Sequence, residues 1–157
     1  MLGGAFYFWS KFTIHSYAKD YTSNSPSIKT VNTTHMIDHT GIPVSDVDKA
    51  KTFYEAALQP LGLKMTFEVK GKVVGFGKDH AEFMVHKGEP RRDHLAFAAP
   101  DKDAVKTFHA KAMEAGGIDN GKPGYRKNYS PGHYAAYVRD PEGNNIEAVF
   151  RDPNPSE

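Results

Sequence analysis

The sequence contains an internal repeat with an offset of 55 residues. One copy begins at His39 with the letters HTGIPVSDVDKAKTF, and the other begins at His94 with HLAFAAPDKDAVKTF. Matches at one fixed offset, ordered as strand and then helix, predict two copies of one supersecondary unit. Because each copy opens with a histidine, the duplication brings two equivalent candidate metal ligands into one fold. Seven further identical pairs share the offset: Asp46 and Asp101, Asp48 and Asp103, Lys51 and Lys106, Thr52 and Thr107, Phe53 and Phe108, Ala57 and Ala112, Gly62 and Gly117.

Each copy has the pattern of one strand, one helix and three further strands. In the first copy, Ile37–Val44 predicts a strand, Ser45 or Asp46 caps the helix, and Pro60 with Gly62 ends it. Three strand candidates follow that helix: Met65–Val69, Val73–Phe76 and Ala81–His86. The second copy has the same order: a strand at Leu95–Ala99, a helix from the Asp101 cap to Gly116 and Gly117, and strands at Ile118 to about Asn120, Tyr134–Arg139 and Asn145–Arg151.

These units predict an α+β fold of two βαβββ modules, spanning residues 36–92 and 93–151. Neither four-stranded sheet can bury both faces alone. We therefore expect helices on one face, and a curved mixed sheet with a central cleft on the other. The second module is longer between its helix and its last strand, mostly in Lys122–His133, which is rich in Gly, Tyr and charged residues. This insertion is a candidate lid or substrate loop.

Composition excludes several classes of function. The 157 residues suit one compact domain, and 20 basic against 19 acidic residues give a net charge of +1. That balance does not indicate binding to nucleic acid or to an anionic membrane. The absence of cysteine excludes disulfides, zinc–thiolate sites and cysteine nucleophiles. We therefore expect neither nucleic acid nor membrane as a partner.

Residues 1–35 differ from the rest of the chain. Their apolar stretch from Leu2 to Trp9 is too short to span a bilayer, and no positive charge precedes it as in a secretory signal. They form either an arm or extension of a cytoplasmic protein or a mitochondrial presequence. The low acid content favours a presequence and the lack of arginine opposes it. Residues 152–157 are expected to form a C-terminal tail.

Two histidines and one glutamate are candidates for a metal site. Side chains alternate across a strand, so His39 and His94 lie opposite the apolar residues that face the helices, beside small residues that leave space. In the last strand, Glu147 alternates with apolar neighbours, and a buried lone carboxylate is costly unless it is paired or coordinates a cation. Two imidazoles and one carboxylate leave coordination positions for substrate and water. The alternative for Glu147 is an ordinary exposed glutamate near a sheet edge.

Three segments resemble the vicinal oxygen chelate superfamily, which includes glyoxalase I, bleomycin-resistance proteins, fosfomycin-resistance enzymes and extradiol dioxygenases. The segments are IDHTGIPVSDVDKAKTFY (37–54), DHLAFAA (93–99) and VRDPEGNNIE (138–147), and the resemblance covers residues 36–151. In metal-binding members the ligands lie at the starts of the first strands of both modules and in the last strand. The resemblance therefore implies that His39, His94 and Glu147 hold a divalent metal, which would be Fe, Mn, Zn, Ni or Mg.

The chain departs from glyoxalase I at a fourth ligand position. Resemblance to glyoxalase I would require a glutamate in the last strand of the first module, where alignment with Glu147 places Met84. Methionine is a poor ligand for a hard divalent ion. Glu82 and His86 lie two residues to either side, so a slip of the strand would supply a fourth ligand. Without it, the site resembles the three-ligand dioxygenase and fosfomycin-resistance type.

Five more residues are candidates for catalysis or substrate binding. Tyr137 lies near the position of a tyrosine that assists the bound catechol in extradiol dioxygenases, and its alternative is a tyrosine of the cleft wall. His86 is either a general base or a surface histidine. Arg126, Tyr129 and His133 are either contacts of an anionic substrate or solvated residues of a loop.

Three functions stay open at this point. The resemblance favours a metal-dependent enzyme, a lyase, isomerase or dioxygenase, that binds a small oxygen-bearing substrate to the metal. The second is a metal-free small-molecule binding protein of the bleomycin-resistance type, although those proteins lack the full ligand set. The third is a structural or regulatory domain with a vestigial site. In some relatives the modules pair between subunits, so a homodimer is a further way to complete the site.

Overall fold

The computed structural model describes residues 37–155. The interpretations of residues 1–35 as an arm, an extension or a presequence lie outside this range. Within residues 37–155, no helix combines the length and the apolar character needed to cross a membrane.

The first module begins with strand β1 (Thr40–Val44) and helix α1 (Val47–Leu58), which continues into a short 3-10 helix (Gln59–Leu61). The α-helix ends three residues earlier than the apolar pattern indicates, because Pro60 has no backbone N–H for a further α-helical hydrogen bond. Strands β2 (Lys64–Val69), β3 (Val73–Gly77) and β4 (Phe83–Lys87) complete a four-stranded sheet. Its order is β1-β4-β3-β2, with β1 parallel to β4 and the other pairs antiparallel.

The second module has the same topology. It consists of β5 (His94–Ala98), α2 (Lys102–Glu114), β6 (Ile118–Tyr125), β7 (His133–Arg139) and β8 (Asn145–Arg151), in the sheet order β5-β8-β7-β6. The prediction of an α+β fold with two βαβββ modules is confirmed. The predicted loop Lys122–His133 is shorter than expected, because β6 pairs with β7 up to Tyr125, and only residues 126–132 connect the two strands.

Both helices begin at an aspartate of the repeat. The Asp46 carboxylate accepts a hydrogen bond from the Lys49 backbone N–H at 2.9 Å, and the Asp101 carboxylate accepts one from Ala104 at 2.7 Å. At each helix N-terminus, the contact provides an acceptor for one backbone N–H that has no partner within the helix. Of the two predicted caps for α1, the structure selects Asp46. The Ser45 hydroxyl instead donates to the Glu142 carboxylate at 2.6 Å.

The two helices and the inner faces of the two sheets share one apolar core. Phe53 and Tyr54 of α1 and Phe108 of α2 are fully buried in it. A polar contact also joins the modules, because the Tyr54 hydroxyl donates to the Asp140 carboxylate at 2.7 Å from the turn between β7 and β8. Burial and the Asp140 charge together hold the pKa of Tyr54 well above its ordinary value, so the phenol stays protonated as a donor.

The sheet faces opposite the helices carry the predicted small residues. In β5, Leu95 and Phe97 pack against the core, whereas Ala96 and Ala98 are exposed on the other face. In β1, Ile42 and Val44 are buried in the core in the same way. The strands of residues 37–155 form two separate hydrogen-bonded sheets, and the open face of each sheet is where the predicted ligands belong.

Candidate functional site

The site is centred on Glu147, in the middle of β8. The sheet register pairs Glu147 with Ala96 of β5 and Tyr137 of β7. Its neighbours Ile146 and Ala148 are fully buried in the core, so alternation directs the carboxylate to the open face. The Glu147 side chain is nevertheless only 6% exposed, which excludes the alternative of an ordinary surface glutamate.

Three side chains of the second module surround the Glu147 carboxylate. His133 Nε2 lies 2.9 Å from Oε1, and the Tyr137 hydroxyl donates to the same oxygen at 3.2 Å. His94 Nε2 lies 3.3 Å from the other oxygen, Oε2. The buried carboxylate therefore has partners on both oxygens, as a buried charge requires.

His94 has neighbours at both ring nitrogens. Its Nδ1 lies 2.9 Å from the backbone carbonyl oxygen of Asn145 and 3.0 Å from the Asn145 side-chain amide nitrogen. Nδ1 can donate to the carbonyl or accept from the amide, so both neutral tautomers have a partner. When Nδ1 donates to the carbonyl, Nε2 presents its lone pair beside Glu147 Oε2. The His94 side chain is half exposed, at 52%, and this side of the site is therefore open to a ligand.

Tyr137 lies between the carboxylate and a cation. Its ring stacks with His94 at 6.5 Å between centroids, and the Arg126 guanidinium carbon lies 5.3 Å from its ring centroid. Burial, followed by the Glu147 charge, raises the pKa of Tyr137 to about 12. The phenol therefore donates hydrogen bonds at neutral pH and is not a base in this state.

Arg126 and Tyr129 lie in the 126–132 connection at the edge of the site. The Arg126 guanidinium donates to the Lys122 carbonyl at 2.7 Å. The Tyr129 ring contacts His133 edge-on at 5.3 Å between centroids, and 62% of the residue is exposed. His133, predicted as a loop residue, instead begins β7 and is buried. The structure thus brings Arg126, Tyr129 and His133 together around Tyr137 and Glu147.

His39 contacts a different carboxylate. It lies just before β1, and its Nδ1 is 2.7 Å from Asp38 Oδ1. This hydrogen bond is the main reason that the pKa of the Asp38 carboxyl is lowered. The starts of β1 and β5 border one cavity of about 270 Å³, lined by Thr40, Gly41, Ile42, Arg91, Asp93, His94 and Leu95. Within residues 37–155, no three His, Asp or Glu side chains are arranged to hold a metal ion.

The first module carries Met84 where the second carries Glu147. Met84 pairs with Gly41 of β1 just as Glu147 pairs with Ala96 of β5. This register confirms the predicted equivalence without a slip of the strand. Glu82 lies in the turn before β4, where its carboxylate accepts the Lys78 backbone N–H at 3.0 Å.

His86, for which the sequence left a general base and a surface histidine open, belongs to the open face of the first sheet. It pairs with Pro43 of β1 in β4, and its Nδ1 lies 3.4 Å from the Lys87 carbonyl oxygen. The Glu147 cluster lies on the second sheet, so the described contacts do not bring His86 to that carboxylate.

Sequence reasoning missed the hydrogen bond between His133 and Glu147. The available signal was alternation along β7, since His133, Ala135 and Tyr137 share one face of the strand. Asn145 was also missed, because nothing in its sequence position indicates that its backbone carbonyl meets the His94 ring.

Comparison with known proteins identifies the family. A family model described as the Glyoxalase/Bleomycin resistance protein/Dioxygenase superfamily matches residues 36–148. A glyoxalase/bleomycin resistance protein from Albidiferax ferrireducens is similar in structure, with a TM-score of 0.65 and 29% sequence identity; the match covers 74% of this chain and 99% of that chain.

Two more distant structures show the same fold. Lactoylglutathione lyase from Agrobacterium tumefaciens has a TM-score of 0.54 at 23% identity, covering 73% of this chain and 92% of that chain. A glyoxalase/bleomycin resistance protein/dioxygenase family enzyme from Burkholderia phytofirmans has a TM-score of 0.56 at 18% identity, covering 73% and 98%. Comparison with curated proteins gives no match. With the repeated βαβββ modules and a family match over most of its length, the chain belongs to the glyoxalase/bleomycin resistance protein/dioxygenase superfamily.

Proposed function

We propose that the protein is a metal-dependent enzyme that binds a small oxygen-bearing substrate to a divalent metal held by His39, His94 and Glu147. The observation that carries this proposal is the geometry of Glu147. Its carboxylate is buried, Oε1 is occupied by His133 and Tyr137, and Oε2 is directed at His94 Nε2 at 3.3 Å. A buried carboxylate oxygen beside an imidazole nitrogen needs either a proton or a cation between the two atoms.

The donor set fits a divalent metal. An imidazole nitrogen and a carboxylate oxygen suit Zn, Fe, Mn or Ni, and carboxylate also suits Mg. The second nitrogen of His94 lies against the Asn145 carbonyl, and that of His39 lies against the Asp38 carboxylate. Metal-ligating histidines commonly donate their other ring N–H to such groups, which fixes the ring and raises its basicity. Both histidines would thus coordinate through Nε2.

We infer that a second copy of the chain supplies His39. The Glu147 cluster belongs to one sheet, whereas His39 precedes the other, and no three ligands meet within residues 37–155. The open face beside His94 carries the exposed small residues Ala96 and Ala98, which leave room for another backbone. A homodimer with the first sheet of one copy facing the second sheet of the other would give two equivalent sites.

The surrounding side chains would orient the substrate and move protons. When bound, the metal would act as a Lewis acid on a substrate oxygen. The protonated Tyr137 phenol would donate a hydrogen bond or a proton to the substrate. Arg126, held above the Tyr137 ring, would bind an anionic group, and Tyr129 would cover it. In the homodimer, His86 of the opposing sheet would be the candidate base.

Metal content tests the ligand set. The protein would be purified without chelator or an affinity-tag metal, loaded with each divalent ion, and assayed for bound metal at pH 7–8. We expect about one ion per chain in the wild type, and loss of the ion in Glu147→Ala and His94→Ala. Glu114→Ala, which removes an exposed glutamate of α2, is the matched control and should keep the ion. A wild type that binds none of the ions would refute the metal proposal.

Subunit mixing tests the shared site. His39→Ala and Glu147→Ala each lack one ligand, and a heterodimer of the two has one intact site if the ligands come from different copies. Unfolding and refolding an equal mixture should then restore about a quarter of the wild-type metal content. No recovery in folded, dimeric mixtures would show that one chain supplies all ligands.

A metal-free binding protein is the second candidate. The observation that favours it is the saturation of Glu147 by protein groups, since His94 can donate through Nε2 to Oε2 when the Asn145 amide donates to Nδ1. Binding of a small ligand that is unchanged by removal of metal would support this candidate. Binding that requires the ion would support the enzyme.

A further inference from the structure

We propose that Arg151 is a positioning residue that fixes the tautomer of His133. In this role it makes His133 a hydrogen-bond donor to Glu147 and prevents it from being a metal ligand. The part of this inference that concerns the metal rests on the proposed function, whereas the part that concerns the tautomer does not. His133 is the first residue of β7 and Arg151 the last residue of β8, and the register pairs them on the same face of the second sheet.

The Arg151 contacts determine where the His133 proton resides. Arg151 Nη1 lies 2.8 Å from His133 Nδ1 and donates to the Ser130 hydroxyl oxygen at 2.9 Å. A guanidinium donates and never accepts, so Nδ1 must accept with its lone pair. The ring proton of the neutral imidazole then sits on Nε2, which donates to Glu147 Oε1 at 2.9 Å.

The Arg151 contact distinguishes His133 from His94 in the tautomers that each ring can adopt. His94 and His133 both approach Glu147 through Nε2. The Nδ1 of His133 faces a fixed donor, whereas the Nδ1 of His94 faces a carbonyl that accepts and an amide that donates. Only His94 can therefore turn an Nε2 lone pair toward the centre of the site. His133, although nearer to the carboxylate, is excluded from coordination as long as Arg151 holds it.

The hydrogen bond from His133 also determines which Glu147 oxygen is available to a metal. His133 and Tyr137 both contact Oε1, so the carboxylate cannot rotate without losing two hydrogen bonds. Oε2 is left facing His94. His133 and Glu147 are 7% and 5% exposed, so water does not readily replace the lost partners. Outer-shell hydrogen bonds of this kind change metal affinity by about 10–100-fold when removed.

Nitrogen-15 spectra of the His133 ring in the metal-free protein test the tautomer directly. At about pH 8, where histidine is ordinarily neutral, the wild type should show Nδ1 as a bare nitrogen and Nε2 as a protonated one. In Arg151→Met, Nδ1 loses its donor while Glu147 still accepts from Nε2, so both signals should shift part of the way toward those of the other tautomer. The control Arg139→Met removes a guanidinium from the other end of β7, the strand of His133, where it contacts Asn120, and should leave the His133 signals unchanged. A proton on Nδ1 in the wild type, or unchanged signals in Arg151→Met, would overturn the proposal.

Two replacements of His133 separate a donor from a ligand. Glutamine keeps an N–H near the position of Nε2 and should retain metal binding within about tenfold of the wild type. Leucine keeps bulk without a donor and should weaken it by about 10–100-fold. Equal loss in both variants would identify His133 as a ligand and overturn the proposal. A wild type without metal would refute the proposed function instead, while the tautomer spectra would still decide the role of Arg151.

Discussion

Replacement of Tyr54 by phenylalanine isolates the polar contact between the modules. The ring is fully buried, and its centroid lies 5.0 Å from that of Phe53 and 4.9 Å from that of Phe83. Phenylalanine retains these contacts and removes only the hydroxyl that donates to Asp140 at 2.7 Å. A hydrogen bond to a charged group contributes about 1.5–3 kcal/mol. Asp140 Oδ2 keeps a second donor, the Asn144 side-chain amide at 2.8 Å, so we expect a loss of about 2 kcal/mol.

Denaturant unfolding measures this loss. The midpoint should fall while the slope of free energy against denaturant stays the same, because the surface exposed on unfolding is unchanged. In a chain of this size, about 2 kcal/mol lowers the melting temperature by roughly 4–8 °C. Tyr129→Phe, which removes an exposed hydroxyl, is the control and should leave both values unchanged. A loss below about 0.5 kcal/mol for Tyr54→Phe would refute the argument that this contact joins the modules.

Three further predictions concern acid stability, a close approach and a left-handed residue. Tyr125 and Lys102 contact the Asp152 carboxylate at 2.5 and 2.9 Å and lower the pKa of Asp152 to about 2. The contribution of these contacts to the stability of the folded protein is complete above the ordinary aspartate pKa and is lost as pH falls toward 2. The difference in melting temperature between the wild type and Asp152→Asn should therefore narrow from pH 5 to pH 2, and a constant difference would contradict this. Gly117→Ala should lower the free energy of unfolding by about 1–3 kcal/mol, because the added Cβ would lie 2.4 Å from Val138. At Gly62 an added Cβ meets open space, but the backbone φ is 78°, so Gly62→Ala should lower the free energy of unfolding by about 1–2 kcal/mol. Denaturant titration measures both glycine variants. An unchanged midpoint in either variant would refute the cause stated for it.

The two glycines also show what a sequence repeat can predict. Gly62 and Gly117 match in the repeat, and both follow a helix. Gly62 adopts the left-handed conformation itself, whereas in the second module Gly116 does so, with φ of 94°. Gly117 is required for a different reason, its close approach to Val138 and to the Ala112 carbonyl. The shared letter predicted the helix end correctly, but its physical cause depends on packing that sequence does not display.

Strand β6 was underestimated because its composition resembles a loop. Gly121, Pro123 and Gly124 are poor strand formers, and the sequence predicted a strand only to about Asn120. In the structure β6 lies at the edge of the sheet, and register shifts near Gly121 accommodate these residues. An edge strand tolerates proline because one side of the strand needs no ladder hydrogen bonds.

The candidate site was predictable where the position of a side chain depends only on alternation along its own strand. Alternation placed Glu147 and Tyr137 on the open face, and the structure places them there in contact. Alternation also placed His133 on that face, but its proposed role as a fixed donor was not predictable, because that role depends on Arg151, a partner on the neighbouring strand that only the register reveals. The repeat also could not predict the position of His39 relative to Glu147, because matching residues do not specify how the two sheets are arranged relative to each other.

A crystal structure of the protein loaded with a divalent metal would locate the proposed site at atomic detail. Anomalous diffraction locates the ion, and we expect His94 Nε2, Glu147 Oε2 and Nε2 of a His39 at roughly 2.0–2.2 Å from it. His133 should remain hydrogen-bonded to Glu147 Oε1 outside the coordination sphere. An ion bound elsewhere, or one coordinated by His133 in place of His39, would refute the proposed ligand set.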